Sequence, residues 1–268
     1  MDKVLPNILN ILTTPPGNLI VHLVLAFSAL ANLQAALISR RTSQAAHPNR
    51  LIFGLVMLLT GQVILFASSG LAWQELVNPR LFLPPLDRAI VLFSLVWIVW
   101  LWIFPNPARL GDLVTGFLNL GIILLFIFTF TSWSATDASI PFNNSWIDLT
   151  WELAAMFIVL SGMSILIFSR PVGWEFGLGM LVISLGGLVA HTTLNPVGGN
   201  FSGFIRLSQL AAYPLLANLL NRLSLAPASR IEERAAQPVV KQETEQSVPN
   251  ALERTDSPTV VAAQAAPA

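Results

Sequence analysis

Residues 113–133 read LVTGFLNLGIILLFIFTFTSW, twenty-one positions without a charged side chain. About 20 apolar residues in a helix cross the roughly 30 Å of a bilayer's hydrocarbon, so this stretch alone argues for a transmembrane helix. Its polar residues do not alternate with period two, which excludes a strand of a membrane barrel. Outward from it, six more runs meet the same test: 19–38, 51–72, 86–104, 149–169, 176–194 and 203–223. Breakers lie between them, among them Arg40-Arg41, Asn78-Pro79, Pro105-Asn106-Pro107 and Asn195-Pro196. The expectation is an all-α, polytopic membrane protein with a seven-helix bundle over 19–223. Three tryptophans in the third run, Trp97, Trp100 and Trp102, suit a helix end anchored at a membrane interface.

Composition agrees with that reading. Of 268 residues 54% are hydrophobic and only 10% charged, too few charges to coat a water-soluble globule. Net charge is zero, so no basic face offers itself to nucleic acid. Without cysteine there is no disulfide framework, thiolate nucleophile or thiolate metal site. Lys and Arg in the short loops set orientation. With alternating spans, Arg40, Arg41, Arg50, Arg109, Arg170, Arg222, Arg230 and Arg234 share one side, against Lys3, Arg80 and Arg88 on the other. This places the N-terminus outside and the C-terminus in the cytoplasm, in a bacterial inner membrane. Residues 1–18 are too interrupted for a cleavable signal and read as an external segment lying in the interface. Residues 224–268, rich in Ala, Pro and polar residues, cannot bury a core and read as a disordered cytoplasmic tail or linker.

Ionisable groups inside spans are expensive and mark sites. His22, Asp87, Arg88, Glu152, His191 and Arg206 all fall toward the outer ends of their spans, whereas the inner half holds only amides such as Gln34, Gln62 and Asn218. Asp148 precedes Glu152 by one turn on the same face, and Gln209 and Tyr213 follow Arg206 at i+3 and i+7. Two readings stay open. In one, Glu152 pairs with Arg206 and Asp87 with Arg88 near the headgroups. In the other, Glu152, His191, Arg206, Gln209 and Tyr213 line a ligand pocket opening outward, with Asp87 or Arg88 at its rim. An arginine beside a carboxylate suits binding of an acid group, and no catalytic constellation or metal-ligand spacing is read. A haem held by His22 and His191 is a distant alternative. The glycines of the sixth run, Gly173, Gly177, Gly179, Gly186 and Gly187, are expected to serve close packing within one bundle.

Three local stretches carry a resemblance: Leu83-Pro84-Pro85-Leu86-Asp87-Arg88, Phe142-Asn143-Asn144-Ser145-Trp146, and the run from Arg206 through Tyr213-Pro214 to Leu216. With them, residues 15–223 resemble the N-terminal seven-transmembrane sensor region that precedes GAF, PAS and histidine-kinase modules in bacterial signalling proteins. The resemblance implies a bundle that senses an extracytoplasmic or membrane cue and passes it to a cytoplasmic output domain or partner, usually as a dimer. It assigns no ligand residues. No output domain follows the seventh run here, and the last histidine is His191. The expectation is a sensor region that ends in its linker, with a free-standing relative as the alternative. A structural or cofactor-carrying subunit of a larger membrane complex is the second function class, and a small-molecule transporter the third.

Overall fold

The computed structural model describes residues 4–42, 48–137, 139–143, 145–194 and 199–220. Every regular element among them is helical. Helix α1 (Val4–Thr13) is short; α2 (Gly17–Thr42), α3 (Pro48–Trp73), α4 (Pro79–Ile103), α5 (Arg109–Ser134), α6 (Trp146–Ser169) and α7 (Trp174–Leu194) are long; α8 (Gly203–Ala212) runs into a 3-10 turn at Tyr213–Ala217. Helices α2 to α7 are the six that are long and apolar enough to span a bilayer. The chain is therefore a multi-pass membrane protein built as a helical bundle.

The bundle is organised around α4. From Leu83 to Ile103 every residue except Phe93 and Val99 is buried, and α3, α5, α6 and α7 all pack against it. A helix apolar on all sides belongs in the interior, and this one is. Trp97, Trp100 and Trp102 are consequently core side chains rather than interface anchors, with Trp102 fully enclosed. That corrects the expectation drawn from their position: surrounding helices, not headgroups, receive the indoles. Helix α5 is the opposite case, its outward Leu, Ile and Phe side chains facing away from the bundle.

Two prolines inside α4 have a structural use. Pro84 has no N–H to offer the carbonyl of Arg80, four residues back. Trp133 at the end of α5 donates its indole N–H to that oxygen at 2.8 Å. Small residues set the remaining approaches. A Cβ at Gly177 would meet the Trp102 ring at 2.7 Å, and one at Gly187 would meet Ser208 Oγ at 2.1 Å. Gly162 and Gly54 similarly admit Val99 and Leu101. These glycines bring α7, α6 and α3 against their neighbours within the bundle; of the sixth run's glycines, Gly177 and Gly187 serve this packing, while Gly186 faces open space and Gly179 makes only an ordinary contact.

The run 203–223 takes a more complex form than one straight span. Ten α-helical residues end at Ala212, and Pro214, which cannot donate back to Leu210, tightens the next five into a 3-10 turn. Residues 221–223 and the tail from 224 to 268 lie outside the described residues. Helix α1 is amphipathic: Leu9 is buried against Gly203 of α8, while Val4, Leu5, Ile8 and Ile11 are exposed. At ten residues it is too short to cross a bilayer by itself.

Candidate functional site

Seven ionisable side chains from five helices meet beneath α1. His22 stands in the second turn of α2, and Asp87 and Arg88 follow Pro84-Pro85 in α4. Asp148 and Glu152 occupy successive turns at the start of α6, His191 the last turn of α7, and Arg206 the first turn of α8. None is more than 4% exposed. The local sequence sets their stations. Ser145 caps α6 by accepting the N–H of Asp148 at 3.1 Å, so Asp148 sits where a helix favours an anion. Ser202 caps α8 by accepting the N–H of Ile205, placing cationic Arg206 at an electropositive helix start. That arrangement calls for a nearby anion, which α4 supplies.

Arg88 is the hub. Its Nε donates to Asp148 Oδ1 at 2.7 Å, Nη1 to Asp87 Oδ2 at 3.1 Å and Nη2 to Asn143 Oδ1 at 3.0 Å. Arg206 donates from Nη2 to Asp87 Oδ1 at 2.9 Å and from Nη1 to the carbonyl of Leu12 at 2.7 Å. Each oxygen of Asp87 thus holds a different arginine. His191 Nε2 lies 3.2 Å from Asp148 Oδ2 and 2.8 Å from Glu152 Oε1. One N–H cannot satisfy both, and Glu152 Oε1 has no aligned hydrogen-bond donor among the described residues. His22 Nε2 stands 3.9 Å from Asp87 Oδ1. Buried charges survive only when paired in this dense way.

The pairing differs from the first of the two sequence readings. Asp87 and Arg88 do bond, but Arg206 takes Asp87 and Glu152 takes His191, because α4 stands at the centre of the bundle and α6 meets α7. Of the seven residues read as a ligand pocket, Asp87, Arg88, Glu152, His191 and Arg206 share this cluster. Gln209 is buried one turn from Arg206, and Tyr213 lies deeper, its hydroxyl accepting from Gln62 Nε2 at 3.0 Å. Three members were missed. Asp148 is visible one turn from Glu152, His22 stands among the ionisable groups at the outer span ends but outside the pocket reading, and Asn143 gives no signal beyond its place in the quoted stretch.

The three quoted stretches converge here. Pro84 opens the carbonyl that Trp133 fills, and Asp87-Arg88 follow. Phe142 packs edge-on against Trp133 at 5.0 Å, Asn143 holds Arg88, and Ser145 caps α6. Arg206 ties α8 to α4, and Ser208 fits against Gly187. At the same end a cavity of about 740 Å³ is bordered by Asn18, Ser69, Glu75, Asn78, Arg80 and Asn200. Asn18 is one helical turn before His22, and Leu83, also on its wall, is one turn before Asp87. Although no metal spacing was read in the sequence, Asp148, Glu152 and His191 bring three donor atoms within 4.8 Å of one another.

No protein-family model matches the chain, and neither a curated protein nor a solved structure is significantly similar to it.

Proposed function

We propose that this chain is the input module of a membrane signalling protein, taking up an extracytoplasmic or membrane cue and passing it to a cytoplasmic output domain or partner. The observation that carries the reading is Arg206. It is the first-turn residue of the last helix, and it bonds at once to the carbonyl of Leu12 in surface-lying α1 and to Asp87 in central α4. A shift of α1, or occupation of the cavity beside Asn18, would move the helix that leads toward the C-terminal segment. In this reading the segment 203–223 completes a seventh crossing, the N-terminus faces outward across the bacterial inner membrane and the module works as a dimer. The seven pocket residues are then the relay between cue and output. Coupling, not catalysis, is the task of such a network.

A subunit role in a larger membrane complex is the second reading, favoured by the outward face of α5, where Leu113, Phe117, Leu120, Leu124 and Phe128 are all exposed. One experiment separates them. The native protein is captured from its own membranes with an antibody to the 134–148 loop, and its intact mass and companions are determined. Signalling predicts a species well above 29.1 kDa, or a kinase or cyclase partner recovered with it. A 29.1 kDa chain accompanied only by subunits of a respiratory or transport complex overturns the signalling reading.

A further inference from the structure

His191 Nε2, Glu152 Oε1 and Asp148 Oδ2 form a close triangle, with 2.8 Å and 3.2 Å separating the nitrogen from the two oxygens. Ligands of a tetrahedral ion with bonds of about 2.0–2.1 Å stand roughly 3.3 Å apart, so the nitrogen is near ligand spacing from both oxygens, and all three donor atoms lie within 4.8 Å of one another. Two further observations point to a missing positive charge. Glu152 Oε1 is buried on a side chain 4% exposed, and the donor atom near it, His191 Nε2, is shared with Asp148 and is not aligned for a hydrogen bond. Across the cluster three carboxylates, Asp87, Asp148 and Glu152, face two permanent cations, Arg88 and Arg206, so charge balance needs one more cation at this corner, either a protonated His191 or a bound metal ion.

We propose that Asp148, Glu152 and His191 bind a divalent transition-metal ion of the zinc class. A histidine nitrogen with two carboxylate oxygens suits a borderline ion. Calcium and magnesium prefer six or more oxygen ligands, several of them water. Arg88 is placed as the residue that orients a ligand, since its Nε holds Asp148 Oδ1 and leaves Oδ2 toward His191. Its Nη2, 3.3 Å from His191 Nε2, also donates to Asn143 Oδ1, and that second contact would remain when the ion takes the imidazole lone pair. The ion would change the charge sum of the two arginines and three acids from minus one to plus one, and its fourth position would be open to water, hydroxide or another anion. This inference is separate from the signalling reading and survives or fails without it.

The tag-free chain, reconstituted in lipid nanodiscs and stripped with EDTA, is dialysed against zinc chloride and its metal content measured. One zinc per chain is expected. Glu152→Gln and His191→Gln should each weaken binding at least ~100-fold, and Arg88→Lys, which keeps the charge but loses the fork, about tenfold. Cobalt chloride on the wild-type chain should give the intense visible bands of a four-coordinate ion. Less than about a tenth of an equivalent of zinc on the folded wild-type chain overturns the site, as does full retention in both ligand variants or a pale, six-coordinate cobalt spectrum. If the variants do not fold, wild-type stoichiometry and the cobalt spectrum decide.

Discussion

The bundle carries an ionic cluster at each end, and the two are built on opposite principles. At the α1 end Arg88, Arg206 and their acids are sealed from solvent and tie α4, α6 and α8 together. At the other end Arg50 of α3 and Asp112 of α5 form a two-pronged pair at 2.8 and 2.6 Å, and the Asp112 side chain is 44% exposed. Arg50 also lies flat over Trp100, 4.4 Å from the ring, and Trp100 donates to Asp112 at 3.0 Å. The exposed clamp can trade each of its contacts for water or a headgroup. The sealed cluster cannot, since any member removed strands a charge in a medium without solvent. One end therefore fastens helices, while the other holds a set of charges that must change together. In the signalling reading proposed above, the sealed set is the one that would relay the cue.

Substitutions should separate the two ends by size of effect. Arg88→Ala leaves Asp148 and one oxygen of Asp87 without a cation, and a loss of about 3–5 kcal/mol is expected in reversible unfolding of the reconstituted chain; a loss under about 1 kcal/mol would erase the contrast. Arg206→Ala cuts one bond to a carboxylate and one to a carbonyl, for about 1.5–3 kcal/mol. Hydrogen exchange in α1 should rise with it, and unchanged protection of α1 would remove Arg206 from the relay. Gly187→Val drives a side chain into Ser208 and the carbonyl of Phe204, and about 1–3 kcal/mol is expected as α7 and α8 separate. Arg50→Ala comes last, at about 0–1 kcal/mol, and its effect should shrink further at 1 M salt, while that of Arg88→Ala should not.

Much of the membrane architecture was legible in the chain. Runs of apolar residues announce α2 to α7 because a bilayer leaves a helix no other way to satisfy its backbone. The glycines of α7 and the i, i+4 pair Asp148 and Glu152 were legible for similarly local reasons. Partner choice was not. Glu152 and Arg206 looked matched by depth, yet depth alone does not say which helices are neighbours: α6 and α8 each pack against α7, Arg206 reaches Asp87 of α4, and Glu152 meets His191 of α7. Trp97, Trp100 and Trp102 looked like boundary residues because their position along the helix was visible and the enclosing helices were not. Asn143 lies in a loop with no periodicity to read, and only folding brings its amide to Arg88.

What the sequence determined by itself was the solvent and the element type: too few charges for water, helices long enough for lipid, and ionisable residues kept to the ends of the helices. Each follows from local composition, because transfer free energies attach to residues one at a time. The tertiary structure decided which of those residues meet. Three carboxylates around two arginines, and the triangle of Asp148, Glu152 and His191, exist only because α4 is central and α6 lies against α7. Pairing depends on distances of about 3 Å between helices far apart in sequence, and no one-dimensional pattern carries that information.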